Sequence, residues 1–226
     1  MTALPPVGDV AALILGAGSG VRMGNQAKAF LEAGGTTLLR RAVELVRPYC
    51  GEIVVGVRAE DVARGRGAIA DSAVRIVAGG PTRQETVAIL LSEVSRPTIL
   101  LHEVARPFAS QQLVEDVLRA GAAHGAAVPF LPASERDAMG LREGDEMVAP
   151  LAREDVIFTQ VPQAYARFVL DDACAKAKAA GWQEQSTTGI VTRAGHRIRL
   201  VSGDPANIKI TNPADWEAAR EALDHK

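Results

Sequence analysis

The chain has 226 residues, 47% of them apolar, with 25 basic and 27 acidic side chains and a formal net charge of −2. That balance excludes a disordered chain and suits one domain of residues 1–226 with a small excursion. A pI near 6.1 and 4% aromatics exclude a broad nucleic-acid groove or base-stacking platform, so no nucleic-acid partner is expected.

The first predicted element is a strand at 10–15, where Val10, Ala11, Ala12, Leu13, Ile14 and Leu15 form an unbroken apolar run. Continuous rather than alternating hydrophobicity predicts a strand covered on both faces, as in a parallel sheet. A helix follows over 37–46, its stripe made by Leu38, Leu39, Ala42, Val43, Leu45 and Val46 and its end set by Pro48. Strands are predicted at 53–57 and 74–77, a helix at 82–94 and a strand at 98–101 that ends at His102-Glu103. Ser110 is placed to cap a helix reaching residue 123, before a strand at 126–131. The alternation of strand and helix predicts an open, mostly parallel twisted α/β sheet with right-handed connections. Between Pro132 and Arg153 the pattern breaks into a polar, charged stretch without helical period, a hairpin arm or a long loop. Beyond it, strands are expected at 156–158, 198–201 and 208–210 and a helix at 167–180. Asn212 and Pro213 are positioned as cap and first residue of a last helix.

No window approaches 18 consecutive apolar residues, so no membrane span is expected. Residues 1–6 lack the basic start and apolar run of a signal peptide. Cys50 and Cys174 lie far apart and read as free thiols of a reducing compartment, with the cytoplasm the expected location. His102, His124, His196 and His225 have no metal-ligand spacing, and His102 reads as structural.

Three constellations carry chemistry. Leu15-Gly16-Ala17-Gly18-Ser19-Gly20-Val21-Arg22-Met23-Gly24 follows the first strand directly, where glycines let backbone amides approach phosphate oxygens. The dinucleotide fingerprint would need glycine where Val21 stands, and the P-loop pattern would need a Gly-Lys-Ser/Thr that is missing. Arg22 and Lys28 just downstream suit phosphate charge. At a strand end, His102-Glu103-Val104-Ala105-Arg106-Pro107 offers a carboxylate suited to Mg²⁺, which takes one or two carboxylates besides waters and phosphate oxygens. Gly79-Gly80-Pro81-Thr82-Arg83-Gln84-Glu85-Thr86 is a turn opening a helix whose N-terminus can face an anion or a base.

The first constellation, with Lys28-Ala29-Phe30, resembles the nucleotide-binding signature of the sugar-phosphate nucleotidyltransferase superfamily. Within it, the likeness is to the 2-C-methyl-D-erythritol 4-phosphate cytidylyltransferase family. Gly79-Gly80, Thr82-Arg83-Gln84, the 102–107 pattern, Arg136-Asp137, Pro162-Gln163 and Asn207-Ile208-Lys209-Ile210-Thr211 complete the match in family order, from about residue 10 to 220. The resemblance implies a Rossmann-like nucleotidyltransferase fold, with 132–153 as a protruding β-arm that clasps a second copy in a homodimer. It implies transfer of a cytidylyl group from CTP to a phosphorylated sugar alcohol, with Mg²⁺ as cofactor. Arg22 and Lys28 are the catalytic cations it implies. Leu15, Gly16, Ala17, Gly18, Gly20, Gly80, Thr86 and Ala105 would hold the nucleotide. Glu103 would stand at the metal position, while Lys209, Arg106 and Arg153 would position substrate, Arg153 in the partner's site.

The departures lie on the acceptor side. Glu103 replaces the usual Asp, Ala138 and Val161 each replace a Thr, Ala27 replaces Pro, and Ser186-Thr187-Thr188-Gly189 replaces an acidic stretch. They keep two alternatives in view: another polyol phosphate acceptor such as ribitol 5-phosphate, or a nucleotide-binding homologue with impaired catalysis.

Overall fold

The computed structural model describes residues 2–18, 20, 23–24, 26–133 and 138–225. Its strands are β1 (Val10–Leu15), β2 (Glu32–Ala33), β3 (Thr36–Thr37), β4 (Glu52–Val57), β5 (Val74–Ala78), β6 (Thr98–Glu103), β7 (Ala126–Pro132), β8 (Met139–Glu143), β9 (Glu146–Leu151), β10 (Ile157–Thr159), β11 (Gln163–Ala166) and β12 (Arg199–Ser202). Its helices are α1 (Leu38–Val46), α2 (Val62–Ile69), α3 (Arg83–Ser92), α4 (Gln111–His124), α5 (Arg167–Ala180), α6 (Thr187–Arg193) and α7 (Pro213–Asp224).

Eight strands form the central sheet in the order β10-β7-β11-β6-β1-β4-β5, with β12 beside β7. β1 runs parallel to both β4 and β6, and β4 parallel to β5, whereas β11 and β10 run antiparallel to their neighbours. All six residues of β1 are buried because its two faces serve different cores. Val10, Ala12 and Ile14 pack with the apolar faces of α1 and α4, while Ala11, Leu13 and Leu15 pack with α3, α5 and α6. The continuous apolar run therefore reports a strand sandwiched between helix layers.

Local signals set the helix starts. Thr82 and Asn212 form capping boxes with Glu85 and Asp215, and Ser110 accepts a hydrogen bond from the Leu113 N–H. The 132–153 excursion contains the hairpin β8–β9, which pairs with no other strand among the described residues and exposes Leu141, Met147 and Val148. Residues 134–137, including Arg136-Asp137, lie outside the described residues.

The strand expected at 208–210 is absent. Its backbone bonds elsewhere: the Ile210 N–H donates to the Ala105 carbonyl at 2.8 Å and the Ile208 N–H to the Ala206 carbonyl at 2.8 Å. β6 is longer than expected, taking in His102 and Glu103 as its last residues. A third, smaller apolar cluster joins Ala33, Leu38, Ile210, Ala219 and Leu223, tying α7 and residues 207–211 to the β2–β3 hairpin.

Candidate active site

From β1 the chain moves outward through β4 to β5, then returns to β6 on the other side of β1. That reversal opens a crevice at the carboxyl ends of the parallel strands, where open α/β sheets bind ligands. The register aligns the ends, with Leu15 opposite both Gly56 and Glu103. The Gly16 N–H donates to the Gly56 carbonyl at 2.7 Å, turning the chain over the strand tips. Gly20 has φ +63°, and a side chain there would collide with the Gln26 carbonyl. Glycine is thus a steric requirement of this loop.

Above the tips lies a cleft of about 630 Å³, within the size range of small-molecule sites. Residues 15–18 and Gly20, Gly80 and Thr86, and Ala105 line it, together with Lys28, Glu103 and Lys209. Sequence reasoning had named all of these. Arg58, which follows β4, and Arg83, the first residue of α3, complete the lining charges. Among the described lining residues, Lys28, Arg58, Arg83 and Lys209 therefore face a single carboxylate, Glu103. A chain of net charge −2 holds a strongly cationic cleft.

Lys28, Arg58 and the segment carrying Lys209 are braced from outside the cleft. Lys28 sits in a single helical turn (Lys28–Phe30) anchored by buried Ala29 and Phe30, and its Nζ donates to the Ile210 carbonyl at 3.0 Å. Arg58 Nε donates to Asp61 Oδ2 at 2.6 Å. Lys209 is carried by an irregular segment whose backbone groups bond to scattered side chains and loop carbonyls instead of a sheet ladder. Fully buried Asn207 donates to the Val161 carbonyl at 2.8 Å, Gln160 donates to the Asp204 carbonyl at 2.9 Å, and Arg106 donates to the Asn207 carbonyl. Ile210, fully buried in the third cluster, locks the segment next to Lys209.

Glu103 is buried at the floor of the cleft. Its Oε1 accepts from Arg83 Nη1, and its Oε2 accepts from Lys209 Nζ at 2.7 Å. Burial by itself would raise its carboxyl, but the two cations override that and hold it at about 2. Beside it, burial pushes His102 down to about 4, so its imidazole is neutral near pH 7. The Thr86 hydroxyl accepts from the Gly80 N–H at 3.1 Å and bonds the Thr82 carbonyl at 2.9 Å. It shapes the Gly79–Thr82 turn from within.

Neither Arg106 nor Arg153 lines this chain's cleft, which departs from expectation for Arg106 alone, since Arg153 was expected in the partner's site. Arg106 does not line the cleft: it lies behind the end of β6, part-buried, and supports the Lys209 segment through Asn207. Arg153 opens a short turn (Arg153–Asp155) after β9, exposed and outside the cleft of its own chain. Arg22 lies outside the described residues. Conversely, Arg58 and Arg83 were missed as site residues. Arg58 could have been found from its place directly after a buried strand, and Arg83 from the Gly-Gly-Pro-Thr-Arg turn.

Residues 10–225 match the family described as IspD: 2-C-methyl-D-erythritol 4-phosphate cytidylyltransferase. Relatives named 2-C-methyl-D-erythritol 4-phosphate cytidylyltransferase from Deinococcus radiodurans and Thermus thermophilus are each 37% identical over 215 residues. The matches cover 95% of this chain and 90% and 97% of those proteins. The crystal structure of the Thermus thermophilus protein of that name is similar with a TM-score of 0.78 at 34% identity, covering 95% of this chain and 98% of that one. A 4-diphosphocytidyl-2C-methyl-D-erythritol synthase from Anaerococcus prevotii, 23% identical, shares the fold at a TM-score of 0.81 over 96% of this chain and 98% of its own.

Proposed function

The chain belongs to the 2-C-methyl-D-erythritol 4-phosphate cytidylyltransferase family, and on that footing we propose that it transfers the cytidylyl group of CTP to 2-C-methyl-D-erythritol 4-phosphate. A phosphate oxygen of the acceptor attacks the α-phosphorus in line. The new O–P bond forms as the bond to the bridging oxygen of the β-phosphate breaks, and pyrophosphate leaves with the electron pair. The products are 4-diphosphocytidyl-2-C-methyl-D-erythritol and pyrophosphate. Such a reaction asks the protein for position and charge rather than for a covalent partner.

The observation that carries this reading is the convergence of Lys28 and Lys209 with the glycine loop at the ends of β1 and β6. Backbone of residues 15–18 and Gly20 takes the phosphates, with Gly80 and Ala105 on the nucleoside flank of the cleft. Lys28 neutralises charge developing on the α- and leaving phosphates, a role the family resemblance also implies for Arg22. Lys209 orients the phosphate of the acceptor. Among the described residues no group of three or more His, Cys, Asp or Glu could hold a metal, and both oxygens of Glu103 are engaged. These residues do not fit a resident ion. Mg²⁺ belongs in this reading to the incoming triphosphate, whose phosphate oxygens it would neutralise.

The exposed β8–β9 hairpin is the arm of a homodimer in this reading, and Arg153 at its base would serve the second copy's cleft. Mixing a Lys28→Ala protein with an Arg153→Ala protein tests this, because subunit exchange should restore activity that neither protein has alone. Two cysteines without a disulfide support a reducing, cytoplasmic setting. No helix among the described residues is long and apolar enough to cross a membrane.

Val161 is not among the residues that line the cleft, so its missing hydroxyl does not favour a different acceptor. An acceptor panel tests the assignment. With CTP and Mg²⁺, kcat/KM for 2-C-methyl-D-erythritol 4-phosphate should exceed that for ribitol 5-phosphate by roughly tenfold or more, the scale of one or two hydrogen bonds to charged groups. Equal efficiency with ribitol 5-phosphate would overturn the choice of acceptor.

A further inference from the structure

Glu103 does something the metal-ligand expectation does not describe. It ends β6, in register with Leu15 of β1, so its backbone sits on an interior strand of the central sheet. Its two oxygens reach two cations from separate elements: Arg83 at the start of α3, and Lys209 on the irregular segment after β12. Without a shared counter-ion these two positive groups would repel each other on the cleft floor. Both still present surface to the cleft, with 23% of the Arg83 side chain and 42% of the Lys209 side chain exposed. Substrate phosphates can therefore approach their outer sides while the carboxylate holds their inner sides. A divalent cation bound to Glu103 would add its charge to those of Arg83 and Lys209 already held there, and would find no second carboxylate lining the cleft among the described residues.

We propose that Glu103 is a positioning residue that clamps Arg83 and Lys209 toward the phosphate site, and that Arg83 is a further substrate-phosphate-binding residue. This rests on the cytidylyl-transfer reading above. The clamp converts two flexible side chains into a fixed pair, so its loss misplaces both without removing either charge. The extra methylene of glutamate relative to aspartate gives the carboxylate the reach to lie between partners on two elements.

The test compares the parent with Glu103→Gln, Lys209→Met and the double variant, measuring initial rates against Mg²⁺, CTP and acceptor. The clamp predicts that Glu103→Gln lowers kcat by about 10²-fold, the scale of a reacting group misplaced by about 1 Å, and raises KM for the acceptor. It also predicts a half-saturating Mg²⁺ concentration within about twofold of the parent. The double variant should be no more than about twofold worse than Lys209→Met, because the two residues act as one unit. A tenfold or larger rise in the Mg²⁺ requirement would overturn the proposal in favour of a metal ligand, as would losses that multiply. A lower melting temperature with kcat and KM unchanged would overturn it in favour of a merely structural carboxylate. Arg83→Met opens the clamp from its other side and should give the same kcat and KM pattern, including when Glu103→Gln folds poorly; unchanged kinetics there would also overturn it. The same cycle read by calorimetry as affinity for 2-C-methyl-D-erythritol 4-phosphate, with CTP binding measured alongside, separates this from the functional reading. A parent that binds CTP and couples Glu103 to Lys209, yet releases no pyrophosphate, supports the clamp and overturns the transfer reaction alone.

Discussion

Replacing Ile210 by alanine perturbs the cleft without touching any group in it. Ile210 is fully buried against Leu38, Ala219 and Leu223, and its backbone links both catalytic flanks: its carbonyl accepts from Lys28 and its N–H donates to Ala105. The change removes three carbons, about 2.4 kcal/mol at roughly 0.8 kcal/mol per methylene. The cavity left behind brings the expected cost to about 3–4 kcal/mol, inside the usual range for such truncations. For a domain of this length each kcal/mol moves Tm by about 2–4 °C, so a fall of about 6–16 °C is expected by circular dichroism. Activity should fall as well. Lys209 is the preceding residue, and a shift of about 1 Å there is worth about 10²-fold in kcat. The rate is to be measured well below the variant's Tm, so that unfolding does not enter. A variant that loses the stability but keeps kcat within twofold would refute the idea that packing behind the cleft positions Lys209.

Lys28→Ala should lower kcat by about 10²–10³-fold, the scale of removing one donor to a developing charge, while the melting curve stays cooperative; near-parent turnover would remove Lys28 from the chemistry. Gly20→Ala should destabilise the loop by about 1–3 kcal/mol, because a non-glycine residue would need both a left-handed backbone and space occupied by the Gln26 carbonyl; calorimetry should then find weakened CTP binding, and parent-like affinity would contradict the loop's role. Acid stability has two windows. His102, lowered by burial to about 4, leaves the folded state short of a proton that the unfolded chain takes up below about pH 6.5. Stability should therefore fall with acid from about pH 6.5 to 4, with a slope approaching 1.4 kcal/mol per unit from this group. Glu103, held at about 2, contributes stability above its unfolded value near 4.5 that is lost as pH falls toward 2. Denaturant titrations of His102→Gln should lose the upper slope and keep the lower one; a variant with the parent's slope in both windows would refute the assignment.

The fold was legible wherever one physical signal dominated. An unbroken apolar run could belong only to an element covered on both sides, and β1 is that element. Caps at Ser110 and Asn212 mark helix starts because their side chains satisfy amides that nothing else reaches. α2 and α6 escaped notice since Gly65 and Gly67 in one, and Gly189 among threonines in the other, dilute any helical stripe. Residues 208–210 alternate Ile, Lys and Ile as an edge strand would, and only tertiary bonds from Asn207, Arg106 and Lys28 make them an irregular support. The site followed the same division. Glycines and cations beside a strand end could be read directly, whereas Arg58 enters through the alignment of β4 with β1. Arg106 looked like a phosphate ligand because its charge is visible in the sequence and its burial behind β6 is not.

Phosphorus NMR of the full chain with CTP, Mg²⁺ and 2-C-methyl-D-erythritol 4-phosphate tests the central claim most directly. The triphosphate and phosphomonoester signals should decline together, replaced by a two-phosphorus diphosphodiester and free pyrophosphate in equal amounts. Triphosphate that persists unchanged beside this acceptor, or that yields CDP and inorganic phosphate instead, would contradict cytidylyl transfer.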